Sequence, residues 1–346
     1  MTDSTTPFEA DILAQPGALI DLADANDDNA LDQLTSRPWG RIVLTGMGSS
    51  HFAGLPTWRS FIAQGRQAWW VDAGQLLDTP ELITPDTLVV ATSQSGASGE
   101  LVELVERLQT GVLTAGALAG ITADPESPLA TAADVLLPLH SGDEATVSTK
   151  SYLNTLGVHR QLIGAFTNEP KGVARAEIRA AAALVSSLVD SLSVQAIAEK
   201  ALSYPRPRLA SVGWGNHATT ALYAALITKE SSKVPIEGFI GGQFRHGPYE
   251  LAGEGLTVFV YGAGDPESAS SLGRLTEDLN ASGATTIVVG DGRFEGSVAL
   301  PAPSEGNLLG LVGGAVTAEL VAVELAKVNG VVPGAFAYGS KITTAL

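Results

Sequence analysis

The chain has no cysteine, only 2 methionines and few aromatics, 6% of its residues. Without cysteine there can be no disulfide, thiolate metal centre, iron–sulfur cluster or cysteine nucleophile. Basic residues are scarce: 20 Lys+Arg stand against 37 Asp+Glu, a formal net charge of −17 at pH 7. So acidic a surface repels phosphate backbones and anionic headgroups, and neither nucleic acid nor membrane is expected as a partner. No clean apolar run reaches the ~20 residues of a membrane span. The longest candidate, Leu308–Val332, is interrupted by Glu319, Glu324 and Lys327, and reads as a tightly packed internal helix. The opening MTDSTTPFEADIL carries no base and no apolar segment, so no secretory leader is expected and the expected location is cytoplasmic. Familiar site motifs are missing too: there is no GxxxxGK(S/T) loop, no Gly-x-Ser-x-Gly elbow and no HExxH. The five histidines (51, 140, 159, 217 and 246) never fall at the spacing of a ligand pair, so neither metal nor cofactor is expected.

What the sequence does have is length for two domains, 346 residues, and 45% apolar residues to fill them. RIVLTGMGSS (Arg41–Ser50) is a buried-type strand run ending in a Gly-x-Gly turn, and RLASVGWGNH (Arg208–His217) has the same shape. Further strand runs follow in one order in both halves: LVVATSQSG, LAGIT and DVLLPL after the first, then LTVFVYGAG, TIVVGDG and SVALPAP after the second. Helix-length amphipathic stretches separate them. Continuous Val/Ile/Leu runs alternating with helices mean parallel strands covered on both faces. The expected fold class is therefore α/β: two tandem, doubly wound, flavodoxin-like parallel sheets. The expected layout is a helical arm over 1–36, a first domain over 37–170, a connecting helix over 171–200, a second domain over 201–335 and a tail over 336–346. In such sheets ligands bind outside the carboxyl ends of the strands.

GMGSSHFAG with Asp72 ending the next strand run approximates a dinucleotide fingerprint, but His51 stands where close helix packing needs a small residue. Three hydroxyl-rich loops follow strand runs in the first half: Ser49-Ser50 beyond Gly48, then Ser93-Gln94-Ser95 with Ser98, and Thr146–Thr149, which includes Ser148. Ser and Thr cap helices routinely. Three such loops on one sheet edge point instead to an anion pocket made of helix N-termini and hydroxyl donors. In the second half, Lys229-Glu230 lies near the end of a helical stretch, Thr219–Lys233, ordinarily a solvated charged end. Sixteen residues beyond Glu230, His246 falls in the glycine-rich GGQFRHGPYE, and Lys341 stands in a C-terminal segment that would ordinarily fray.

Together these residues resemble the double sugar isomerase (SIS) family: the isomerase module of glucosamine-6-phosphate synthase, amino-sugar-phosphate deaminases and ketosamine-phosphate deglycases. The resemblance runs from EADILAQPGAL through TSQSGASGE, VSTKSY and Lys229-Glu230 to FRHGP and the last lysine. It implies that Ser50, Ser93, Gln94, Ser95 and Ser98 hold a sugar phosphate, with Ser49, Gly48, Ser148 and Thr149 lining the pocket. It implies Glu230 as the base moving a proton between C1 and C2 of an open-chain sugar. His246 would assist ring opening from the neighbouring subunit of a homodimer, and Lys341 would close over the sugar carbonyl. Two positions depart from the synthase: Ile227 replaces a catalytic lysine, and Gly-Gly-Gln243 replaces Gly-Glu. The synthase reaction is not expected, since it needs a glutaminase domain with a cysteine nucleophile. The resemblance implies a phosphosugar isomerase or deaminase; the alternative is a non-catalytic sugar-phosphate sensor.

Overall fold

The computed structural model describes residues 5–266 and 268–344. Two helices, α1 (Pro7–Asp24) and α2 (Asp28–Thr35), precede the first sheet; the expected arm and tail extend into residues 1–4 and 345–346, outside the described residues. That sheet holds β1 (Arg41–Gly46), β2 (Ala68–Trp70), β3 (Thr87–Thr92), β4 (Ala117–Thr122) and β5 (Val135–Pro138). All pairings are parallel and the order is β2-β1-β3-β4-β5. Between and after the strands run α3 (Gly48–Ala53), α4 (Leu55–Ala63), α5 (Ala73–Asp78), α6 (Gly99–Gln109), α7 (Pro128–Ala132) and α8 (Lys150–Phe166). Then come α9 (Lys171–Ser191) and α10 (Gln195–Leu202). The second sheet holds β6 (Arg208–Gly213), β7 (Ile236–Ile240), β8 (Leu256–Tyr261), β9 (Thr285–Val289) and β10 (Val298–Leu300), with α11 (His217–Ser232), α12 (Ala269–Ala281) and α13 (Leu308–Val328). Its order, β10-β9-β8-β6-β7, is also parallel throughout. Counted within each sheet, both read 2-1-3-4-5.

The sequence explains the elements. TLVVAT of β3 and LTVFVY of β8 are buried along their whole length, as strands covered on both faces require. In α6 the period places Leu101, Leu104 and Val105 inside, while Glu103 and Arg107 pair at 2.6 Å one turn apart on the outer face. Asp72 accepts from the Gln75 N–H at 3.0 Å to cap α5, and Asn307 accepts from Gly310 N–H at 3.1 Å to cap α13. The apolar α13 is buried around most of its circumference, and it is the one described helix long and apolar enough to cross a membrane. Gly314 lets it approach α11 closely: a Cβ there would sit 2.8 Å from Thr220 Cγ2.

Packing divides the chain into two compact units, each made of three pieces. One contains the first sheet, with described residues 17–144, 150–179 and 338–344. The other contains the second sheet, with 5–16, 145–149 and 180–337. Where the sequence leads one to expect continuous domains over 37–170 and 201–335, residues 145–149 pack with the second sheet, and 338–344 with the first. The connecting helix expected over 171–200 is two helices, α9 and α10, bent by 68°. The bend at 192–194 turns Val194, Ile197, Ala198 and Ala201 into the core, which a straight helix would not do. β7 was not among the strand runs; its IEGFI carries Glu237 and Gly238 and is only partly buried.

Candidate functional site

In the first unit, β1 and β3 are neighbours whose connections leave in opposite directions along the sheet, so the crevice at their carboxyl ends is the topological switch point. Both loops there are hydroxyl-rich. After β1 the chain turns at Gly48, whose φ of +53° favours glycine, and Ser49 and Ser50, both half-buried, enter the first turn of α3. After β3, Ser93 Oγ accepts from Gly96 N–H at 3.1 Å and Ser95 Oγ accepts from Ala97 N–H at 3.3 Å. Each hydroxyl therefore keeps its proton free to donate. Gly96 has φ +61°, and a Cβ there would lie 2.1 Å from Ser127 Oγ, so the loop depends on glycine. The Gln94 backbone is fixed by Ala123 N–H and Thr122 Oγ1, which donate to its carbonyl at 3.0 and 3.1 Å.

Ser98 is the N-cap residue of α6, yet its hydroxyl makes no cap bond. Its Oγ is buried with no hydrogen-bond partner among the described residues. A capping serine normally satisfies a helix amide; this one is left over in a loop of donors. Next to it, Gly99 N–H donates to Thr343 O at 3.0 Å, which ties the C-terminal segment to the start of α6. Lys341, in the same segment, does not stand free. It donates to the Glu144 carbonyl and lies 3.3 Å from Glu144 Oε2. The Glu144 side chain is fully buried and also accepts from Ser151 N–H at 3.1 Å and Ser151 Oγ at 2.8 Å. Sequence reasoning missed Glu144, because nothing local marks a partner 197 residues away from Lys341.

His51 fills the place where a dinucleotide fingerprint wants a small side chain. Its ring stacks on Trp70 at 4.2 Å and 3°, while Trp70 Nε1 donates to the His51 carbonyl at 2.6 Å. Burial pushes the His51 imidazole down to about 4, against the opposing charge of Asp72, so the ring is neutral at pH 7.

The second unit holds the remaining candidates. Ser148 and Thr149 belong to it, so the third hydroxyl loop does not share a unit with the other two. Ser148 is half-buried and Thr149 fully buried. Glu230 lies in the last turn of α11, which Lys233 ends in a left-handed conformation, φ +61°. Burial pushes the Glu230 carboxyl up to about 7, although Lys233 and Lys229 pull the other way. The helix end is tied down: Gly334 N–H donates to Ser231 O at 3.2 Å, and Asn329 Nδ2 to Ser232 O at 2.9 Å. His246 is exposed and follows a short 3-10 turn, Gly241–Arg245, just beyond β7.

The structure does not bring Glu230 and His246 together. β6 and β7 are parallel, so α11 between them runs back and ends at the amino edge of the sheet, with Glu230. β7 then carries the chain to the carboxyl edge, where His246 emerges; five strand residues span roughly 16 Å. The carboxyl edge of the second sheet is held together by its own hydrogen bonds. His217 Nε2 contacts the Ser304 carbonyl at 2.8 Å, Asn216 Nδ2 donates to Gly306 O at 2.7 Å, and Ser268 Oγ donates to Gly262 O at 2.8 Å. Among the described residues no group of three or more His, Cys, Asp or Glu is placed to hold a metal.

Residues 37–165 match the model of the SIS domain family. The first sheet and its helices form a SIS domain. The chain is 30% identical over 261 residues to the isomerizing glutamine–fructose-6-phosphate aminotransferase of Halalkalibacterium halodurans, covering 72% of this chain and 42% of the relative. It is 27% identical over 309 residues to that of Corynebacterium diphtheriae, covering 82% and 48%. The chain thus spans less than half the length of these relatives. Among solved structures, the C-terminal domain of glucosamine-fructose-6-phosphate aminotransferase from Francisella tularensis superposes with a TM-score of 0.81 at 18% identity, covering 95% of this chain and 98% of that one. Glucosamine-6-phosphate deaminase from Thermotoga maritima gives 0.77 at 20% identity, covering 97% and 99%. Tagatose-6-phosphate ketose/aldose isomerase from Escherichia coli gives 0.79 at 21%, covering 95% and 94%. At these identities the superpositions establish the fold, an α/β SIS fold with two parallel five-stranded sheets.

Proposed function

We propose that this SIS protein acts on the open-chain form of a phosphorylated sugar, an amino-sugar 6-phosphate or a ketosamine phosphate, interconverting aldose and ketose with or without loss of the amine. The observation that carries the reading is Glu230, a carboxyl raised by burial to about 7. A base with that affinity takes a proton from carbon at one position and returns it at the next without needing strong acid or base. The switch-point loops with Ser49, Ser50, Ser93, Ser95 and Ser98 supply hydroxyl donors for the phosphate. His246 serves the site of a second copy in a homodimer, since it leaves the sheet at the edge opposite Glu230. Lys341 reaches the sugar carbonyl only after leaving Glu144, losing water to form an imine. That engagement by Glu144 is also what favours the second reading, a sensor that binds sugar phosphate without turning it over.

Incubating the protein with a panel of hexose and hexosamine 6-phosphates in deuterated water tests the reading. Deuterium at C1 or C2 of any one sugar, with isomer or ammonia formed in parallel, is the expected result. Tight binding with no exchange into any of them rejects catalysis and leaves the sensor.

A further inference from the structure

A second acid lies in the core of the second unit. In the sequence Glu319 is only an interruption of an apolar run. In the structure it is wholly buried on α13, beside Gln15 of α1 and Tyr223 of α11, which are buried as well. Gln15 Nε2 donates to Glu319 Oε2 at 2.7 Å. The Tyr223 hydroxyl lies 2.6 Å from Glu319 Oε1 and 2.8 Å from the carbonyl oxygen of Ser148.

The phenol hydroxyl is the donor toward both the carboxyl oxygen and the Ser148 carbonyl, so one buried proton ties the backbone at Ser148 to the acid on α13.

What the phenol holds is the segment 145–149, a short piece of the first half packed in the second unit. Within it, Ala145 N–H also donates to Asp11 Oδ2 at 2.8 Å, and Val147 is buried. Ser148 as a residue is half-buried, and its carbonyl is pinned.

We propose that Tyr223 and Glu319 are positioning residues, a phenol–carboxyl pair that fixes the Ser148 carbonyl and so sets the Ser148 hydroxyl for contact with an open-chain sugar phosphate. The pair touches no substrate itself. The substrate half of this inference rests on the functional reading above; the positioning half rests on the geometry alone.

Full-length wild type, Tyr223→Phe, Glu319→Gln and Glu319→Leu separate the two. Glutamine keeps the shape and an amide oxygen that accepts from Tyr223, with Gln15 free to turn its own amide oxygen toward the new NH2, whereas leucine keeps no acceptor. Amide hydrogen exchange of the 145–149 peptide is read first, with inorganic phosphate binding as a control, then kcat and KM for glucosamine 6-phosphate. Tyr223→Phe and Glu319→Leu should speed exchange in 145–149 about tenfold or more, beyond any change elsewhere in the chain. They should raise KM more than they lower kcat, and leave phosphate affinity unchanged. Glu319→Gln should match wild type in all of these. Unchanged exchange in Tyr223→Phe, or a Glu319→Gln variant as impaired as Glu319→Leu, overturns the proposal. If wild type turns over no sugar phosphate, the functional reading fails, and the exchange data still decide whether the pair positions Ser148.

Discussion

Glu230 ties a sequence position to a measurable proton. The carboxyl is raised from 4.5 to about 7 by burial, so a reaction that needs it ionised gains rate as pH rises through about 7 and then levels. The folding linkage has the opposite slope. A carboxyl that holds its proton more tightly folded than unfolded contributes stability that is present below pH 4.5 and lost as pH climbs to about 7, up to about 3 kcal/mol. Glu230→Gln should therefore flatten the stability curve between those values in denaturant melts. The same variant should still bind sugar phosphate while turnover falls by on the order of a hundredfold or more. A variant that turns over at the wild-type rate would remove Glu230 from the base role. Other groupings could not be read from the sequence in this way. Glu144 and Lys341, or Tyr223, Glu319 and Ser148, meet only because the fold brings distant segments together, and no local pattern marks such pairs.

At the scale of elements, strands were legible wherever burial on both faces forces an unbroken Val/Ile/Leu run, as in β1, β3, β6 and β8. β7 escaped because an exposed Glu237 and a glycine interrupt its pattern. The α9–α10 break escaped because the Ala-rich composition runs on through it, and only the core behind Val194 and Ile197 calls for the bend. The hydroxyl loops were legible as strings, but the uncommitted Ser98 Oγ was not, since a serine before a helix ordinarily caps it. Two outcomes test the loop between β3 and α6. Inorganic phosphate should raise the Tm of wild type, and less so that of Ser95→Ala; equal protection by an unphosphorylated sugar would argue against a phosphate site. Gly96→Ala places a Cβ against Ser127 in a left-handed backbone, at a cost on the order of 1–3 kcal/mol. It should lower the Tm and erase the phosphate response together.

For the whole molecule, the opposite placement of Glu230 and His246 makes subunit mixing decisive. Glu230→Gln and His246→Ala proteins, each nearly inactive, should recover activity when their subunits are exchanged. Every mixed dimer would contain one site with both residues intact. About a quarter of wild-type activity is expected at equal amounts with random pairing. No recovery, with mixed dimers shown to form, would place both residues in one chain's own site or remove one from catalysis.

Each unit is assembled from three separate stretches of chain. During synthesis, therefore, neither can be complete before the stretch near residue 330 and beyond has been made. The first sheet waits for the segment 338–344, and the second waits for its own strands while 145–149 has long since left the ribosome. A gene divided between the halves should accordingly give two products that are each missing a piece, soluble only when made together. The interleaving thus makes the completion of each unit depend on chain supplied from outside its own run of strands.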